Sequence, residues 1–296
     1  MAALGVIDGR FRLEAQIATG GMGRVYRAVD ARTGRSVALK VIAGALEAAD
    51  ERFRREALTL ARLRHPALVE HVAHGVAADG EAYLAMEWLE GRDLRAKLGG
   101  MGDATLPEDT ASRFPIADVV ALGRRIAAAL GELHRHGVVH RDVKPGNVFC
   151  VNDDLRDAKL LDLGAVTIPD SDRLTRTGML VGTPAYMAPE QVRAEDAPTP
   201  AADVWGLGAV LYECVTGRPA FRAQHMVALL AKIVLDEPPS LGAARQDLPA
   251  ALVRVIERCL VKDPAARIPD GDALAAALEA IEVRAPERPS VAPPTP

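Results

Sequence analysis

The hydrophobic pattern of this chain shifts near residue 90 from mostly strand-like to mostly helical, and that shift limits the architectures open to it. Before it, apolar and polar residues alternate in short runs, Phe11 to Ile17 and Val25 to Val29, followed by the β-branched run Val37 to Ile42. Such runs are what strands with a buried face require. The link between the last two, Asp30 to Gly34, ends in the glycine that a tight hairpin uses. One helical pattern interrupts at Ala48 to Leu63, with Phe53, Leu60 and Leu63 on its apolar side, and His65-Pro66 closes it. Two more strands are expected at Leu68 to Gly75 and Glu81 to Trp88. After Leu94 helices dominate, at Ile116 to His136, Val204 to Thr216, Met226 to Leu235, Leu248 to Leu260 and Gly271 to Val283, with a polar strand-and-loop region at 138–190 between the first two. Gly137 and Gly217 follow the first two as stops. The expected fold class is α+β. Residues 1–88 form a β-rich lobe with one main helix, 89–284 a larger, mostly helical lobe, and 285–296 a Pro-rich disordered tail.

Composition removes several functions. The 296 residues carry 36 Lys and Arg against 40 Asp and Glu, a net charge of −4, so no bulk positive field invites nucleic acid. No apolar run approaches the roughly 18–20 residues of a membrane span. Met1 to Arg12 lacks the charge and apolar order of a secretory leader. Cys150, Cys214 and Cys259 lie far apart and read as buried thiols of a reduced compartment, the cytoplasm. His134, His136 and His140 sit close enough to suggest zinc, but the companion ligands such a site needs are missing, and zinc is not expected.

The residues that carry chemistry fall where the periodic patterns break. Thr19-Gly20-Gly21-Met22-Gly23-Arg24-Val25 is a glycine-rich turn between strands. It is either a plain hairpin or a place where backbone N–H groups approach phosphate oxygens. Val37-Ala38-Leu39-Lys40 delivers a lysine from an apolar strand, either snorkelling to water or meeting an anion. Glu56, on the following helix, offers it a partner. His140-Arg141-Asp142-Val143-Lys144-Pro145-Gly146-Asn147 concentrates a carboxylate, two cations and an amide in one loop, and Lys159-Leu160-Leu161-Asp162-Leu163-Gly164 brings a second acid onto a glycine turn. Asn147 and Asp162 are hard-oxygen ligands suited to Mg²⁺, and Asp142 can accept a hydroxyl proton. Taken singly, these fragments are equally well read as Asx turns and surface ion pairs.

In this order, and with Ala188-Pro189-Glu190 after Gly182-Thr183-Pro184, they resemble the eukaryotic-type protein kinase family and are most similar to its bacterial serine/threonine members. The resemblance runs from about Phe11 to about Ile281 and implies a two-lobed protein-kinase-like fold. It implies ATP as phosphate donor with Mg²⁺, Mn²⁺ being an alternative ion. Ile17 and Gly20 to Val25 (Gly20, Gly21, Met22, Gly23 and Val25) would cover the nucleotide, and Ala38 would pack on the adenine. Lys40 would bind the α- and β-phosphates and be held by Glu56. Met86 stands at the gatekeeper position, Glu87 to Leu89 form the hinge, and Phe149 closes the adenine pocket from below. Asp142 would orient and deprotonate the substrate hydroxyl, Lys144 would stabilise the moving phosphoryl group, and Asn147 and Asp162 would hold the metal. Glu190 would pair with Arg267, and Asp203 would anchor the catalytic loop. Lys144 and Thr183 follow the serine/threonine pattern. Arg141 implies a phosphate on the activation loop, with Thr175 and Thr177 as its candidate carriers. The partners implied are protein substrates bearing Ser or Thr, and a second copy for autophosphorylation in trans.

The chain departs from the family pattern at two points. Ala18 replaces the first glycine of the loop, which costs about 1 kcal/mol only if that backbone has φ > 0. Leu163 replaces the Phe of D-F-G, a hydrophobe for a hydrophobe. The competing functions are an ATP-binding pseudokinase or scaffold, and a small-molecule kinase on the same fold.

Overall fold

The computed structural model describes residues 5–20, 23–42, 61–78, 80–99, 114–162, 184–194 and 199–282. The strands are β1 (Val6–Ile7), β2 (Phe11–Gly20), β3 (Gly23–Asp30), β4 (Ser36–Ile42), β5 (His71–Val76) and β6 (Ala82–Glu87), which form one antiparallel sheet in the order β1-β2-β3-β4-β6-β5. Alternation dictates its faces. Along β4, Val37, Leu39 and Val41 are buried with Phe11, Leu13, Tyr26, Ala28 and Tyr83 in a small core, and Ala38 and Lys40 face the other way. The β3–β4 turn is held by Asp30, a fully buried carboxylate. It accepts two bonds of 2.8 Å from Arg10, one from the Arg32 N–H and one from the Thr33 hydroxyl. The Arg10 bonds come first among the causes that hold it far below the usual carboxylate range, against burial.

A second sheet, β7 (Gly91–Asp93), β8 (Val148–Val151) and β9 (Ala158–Leu160), begins the larger part of the chain. Its helices are α1 (Leu94–Lys97), α2 (Ile116–Arg135), α3 (Pro189–Val192), α4 (Pro200–Thr216), α5 (Met226–Leu235), α6 (Leu241–Ala244), α7 (Ala250–Cys259) and α8 (Gly271–Glu279). Every residue of α4 from Ala201 to Thr216 is buried, as a helix apolar on all sides must be, and it forms the axis of the main core. Pro200 starts it earlier than the apolar run suggests, proline being suited to the first helical position, and Gly217 ends it in the left-handed conformation. The helix expected from Leu248 begins at Ala250 because Pro249 keeps Leu248 out of the helical region. The last helix stops at Glu279 rather than Val283. Arg124 takes the carbonyls of Leu278, Glu279 and Ile281 there, so the terminal acceptors need no further turn. The helix expected at Ala48 to Leu63 lies almost wholly outside the described residues. None of the described helices is long and apolar enough to cross a membrane.

Helices α2 and α8 meet through two glycines. A methyl group on Gly271 would lie 2.2 Å from the Gly131 nitrogen and 2.6 Å from the Ala127 oxygen, both backbone atoms that cannot step aside. This approach brings the Gly271 N–H within 3.0 Å of His134 Nδ1, the first link of a path to the functional loop. Gly271→Ala is therefore expected to cost about 3 kcal/mol by overpacking. Gly146→Ala, whose added carbon meets nothing within 4 Å, should change stability by less than about 0.5 kcal/mol. Denaturant midpoints of the two variants check this, and equal midpoints would refute it.

Candidate active site

The cleft face of the first sheet is set by register. Lys40 pairs across with Val25 and Leu84, and Ala38 with Met86, so Val25, Ala38, Lys40, Leu84 and Met86 share one face. Ile17 falls in a register shift of the β2–β3 pair, between Gln16 and Ala18, and is 54% exposed. Gly20 and Gly23 face each other at the end of this hairpin, and Gly21 and Met22 lie outside the described residues. Gly23 has φ +133°, and a side chain there would meet the Val41 carbonyl oxygen at 2.0 Å, so glycine is required by the neighbouring strand itself. Ala18 is paired with Val25 and is not among the residues with φ > 0, so the missing first glycine costs the backbone almost nothing.

Lys40 reaches out of β4 to the Asp162 carboxylate, 122 residues on, joining the sheet to the helical part of the chain. Glu56, its expected partner, lies outside the described residues, as do Leu163, Thr175, Thr177 and Thr183. Burial acts to raise the Asp162 pKa. The Lys40 ammonium, helped by His140 and Lys144, outweighs it and holds the carboxyl below its ordinary range.

Beside this pair runs the loop after α2. Asp203, on α4, accepts from the N–H groups of His140 and Arg141, both at 2.7 Å. His134 adds a third bond to the same carboxylate at 2.9 Å. Because His134 Nδ1 accepts from Gly271, its proton sits on Nε2 and is donated to Asp203, so both ring nitrogens are occupied and neither is left for zinc. His140 is fixed likewise: Nδ1 accepts from the Asp142 N–H at 3.3 Å and Nε2 donates to the Leu161 carbonyl at 2.9 Å. Arg141 takes φ +66° and Asp162 φ +58°, both strained for side-chain-bearing residues.

The Asp142 carboxylate is asymmetric in its surroundings. Its Oδ2 accepts from Lys144 Nζ at 2.7 Å and from Asn147 Nδ2 at 3.0 Å, and Oδ1 has no donor among the described residues. Asn147 also donates to the Asp142 carbonyl at 2.7 Å, which commits its nitrogen and leaves its oxygen to offer a cation. That oxygen and the ionised Asp162 make a hard two-ligand set. No group of three His, Cys, Asp or Glu suited to a metal occurs among the described residues. Such a set fits Mg²⁺, which completes its shell with phosphate oxygens and water.

Further connections steady this region. Glu87, at the end of β6, takes Lys159 of β9 on its carboxylate together with the Glu70 N–H. Its side chain is thereby turned to the large lobe. Leu89, in the link to β7, and Phe149, paired with Asp93 and Lys159, are both half-buried. Arg267 is buried and binds Glu190 through both terminal nitrogens, at 2.7 and 3.0 Å, and donates also to the carbonyls of Ala201 and Val261. Gln191, next to Glu190, bonds the Arg141 carbonyl at 2.9 Å. Gln191, Lys159 and His134 escape the sequence reading because two of them act on backbone or across long separations, and the third sits in a histidine group that suggests metal.

The curled antiparallel sheet, the helical lobe and the cleft between them define a protein kinase fold. A family model of the protein kinase domain matches residues 11–278, and the chain belongs to that family. It is 39% identical to the serine/threonine-protein kinase PknA of Mycobacterium tuberculosis, over 97% of this chain and 65% of that protein. It is 37% identical to PknL of Mycobacterium bovis, over 95% of this chain and 68% of the relative. The chain thus spans just under two thirds of the length of PknA. Among solved structures, the kinase domain of M. tuberculosis PknI aligns with a TM-score of 0.71 at 28% identity, covering 94% of this chain and 98% of that one.

Tyr186 donates its hydroxyl to Glu213, a fully enclosed carboxyl of α4. Burial pushes Glu213 up to about 7, partly offset by the Tyr186 hydroxyl and by Arg95. A raised folded-state value means that the contribution of this group to stability is complete below the unfolded value, about pH 4.3, and is lost as pH rises through about 7. Glu213→Gln keeps an acceptor for Tyr186 and cannot ionise. It should melt a few degrees above wild type at about pH 8.5, with the gap closing toward about pH 5. A gap independent of pH in thermal melts would show the assignment to be wrong.

Proposed function

We propose that the chain is an ATP-dependent protein serine/threonine kinase. The observation that carries this reading is the Asp142 carboxylate, one oxygen held by Lys144 and Asn147 and the other free of donors among the described residues, with the same Lys144 close enough to the Lys40–Asp162 pair to act on Asp162. An acceptor so oriented suits a substrate hydroxyl. Asp142 Oδ1 would take the Ser or Thr proton as its oxygen bonds to the γ-phosphorus and the bond to the β-phosphate oxygen breaks. Lys144 would offset charge on the moving phosphoryl group, and Lys40 would exchange Asp162 for the α- and β-phosphates. Asn147 and Asp162 would hold Mg²⁺ or Mn²⁺, whose charge offsets that of the phosphate oxygens.

Val25 and Ala38 would pack over the adenine and Phe149 beneath it, with Met86 at the back and the backbone of Glu87 to Leu89 reading its edge. The lobe boundary would then fall near residue 88, with 285–296 outside the catalytic unit. The substrates are proteins. The relatives PknA and PknL carry the serine/threonine kinase name, and Lys144 follows that pattern. Autophosphorylation between two copies, on Thr175 or Thr177 with Arg141 receiving the phosphate, completes the reading.

The test is transfer from labelled ATP with Mg²⁺ to the chain itself and to a generic basic protein. Asp142→Asn should lower turnover by about 10²- to 10⁴-fold, the scale of a lost general base. Lys40→Met should lower it at least as far as the loss of a charge contact to the phosphates demands, about 10²-fold, with the melting temperature retained. Wild-type transfer no faster than that of Asp142→Asn would favour a scaffold without turnover. Turnover of a small alcohol with none on proteins would favour a small-molecule kinase.

A further inference from the structure

We infer that Gln191 is a positioning residue for Asp142, an inference that rests on the kinase reading above. The peptide between Arg141 and Asp142 is planar, so fixing both of its edges fixes the plane. On one edge the Asp142 N–H meets His140 Nδ1, a long contact of 3.3 Å. On the other, the Arg141 carbonyl accepts from Gln191 Nε2 at 2.9 Å. The plane in turn sets the direction in which the Asp142 side chain leaves the backbone.

This peptide needs such a hold. Arg141 has φ +66°, a conformation that costs a side-chain-bearing residue about 1 kcal/mol and persists only where surrounding bonds impose it. Asp203 grips the N–H of Arg141 at 2.7 Å, and Gln191 grips its C=O, so the strained residue is clamped at both ends.

Gln191 is itself held. Its Oε1 accepts from the Ala188 N–H at 3.0 Å, one half of a capping box at the start of α3. An N–H donor on one side and a carbonyl acceptor on the other leave a single assignment of the amide's oxygen and nitrogen. The neighbouring Glu190 is pinned by Arg267 in the buried pair. Gln191 therefore transmits the seating of α3 to the loop that carries Asp142, through one side chain and without touching substrate.

Two variants test this. Gln191→Glu keeps the acceptor for Ala188 and replaces the donor with a second acceptor facing the Arg141 carbonyl. Gln191→Met keeps the volume and loses both bonds, and it carries the test where Gln191→Glu does not fold. Turnover, KM for ATP, nucleotide affinity and melting temperature are measured on the whole chain beside wild type and Asp142→Asn. The expected result for Gln191→Glu is a fall in kcat of about tenfold, the scale of one lost hydrogen bond, with KM, nucleotide affinity and melting temperature within about twofold or two degrees of wild type. Gln191→Met should show the same fall in kcat with KM for ATP held. Wild-type kcat in the variant, or a fall matched by lost nucleotide affinity or lost folded fraction, overturns the inference alone. Wild type no faster than Asp142→Asn overturns both it and the kinase reading.

Discussion

The site depends first on one buried carboxylate. Asp203 sits on α4, the helix enclosed on every side, and takes three hydrogen bonds from His134 and from the backbone of His140 and Arg141. A carboxylate taken out of water is tolerated only when its oxygens are occupied in this way. The donors it collects are two consecutive peptide N–H groups of the loop, so satisfying the acid and shaping the loop are a single event. His134 extends the path to the glycine contact of α2 and α8, which means that packing far from the cleft reaches the loop through hydrogen bonds of defined direction.

Charge in and beneath the site is arranged as close pairs. Lys40 meets Asp162, Lys144 meets Asp142, Lys159 meets Glu87, and Arg267 meets Glu190. Three of these join segments far apart in the chain, and Lys144–Asp142 braces a single loop; a charge in a low-dielectric setting tolerates little displacement from its partner. A net charge as small as −4 is what such local balancing leaves.

Much of the fold was legible because burial writes its period into the chain. The alternation in Val25 to Val29 marks a half-buried strand, and the strongly apolar stretch of Val204 to Thr216 marks an enclosed helix. Helix ends were less legible, since they are set by local events such as Pro249 before α7 or Arg124 across the end of α8. In the site, Lys40, Asp142, Asn147 and Asp162 were readable from motif order, and the cleft does bring them together. Gln191 was not. Ala188 at the cap position hides the usual Ser or Thr of a capping box, and the partner that matters is a carbonyl, which no sequence pattern displays. The Glu87–Lys159 pair spans 72 residues, a separation that only the folded chain closes.

The short stretch Ala67 to Glu70 precedes the last two strands of the first sheet, yet it does not travel with them. Ala67 and Leu68 are packed in the core of the helical lobe, Ala67 and Val69 exchange backbone bonds with Leu160 on β9, and Arg125 holds the Pro66 carbonyl. Glu70 is in turn laced to Glu87 by two bonds, 2.9 Å between backbones and 2.8 Å to the side chain. The first sheet is thus fastened to β9 and α2 through this stretch, in addition to the Lys40–Asp162 and Glu87–Lys159 pairs. Such a mounting ties the wall of the cleft that carries Lys40 to the part that carries Asp162 along the edge where the chain crosses between them, so the spacing of that pair is set from the link as well as from the pair itself.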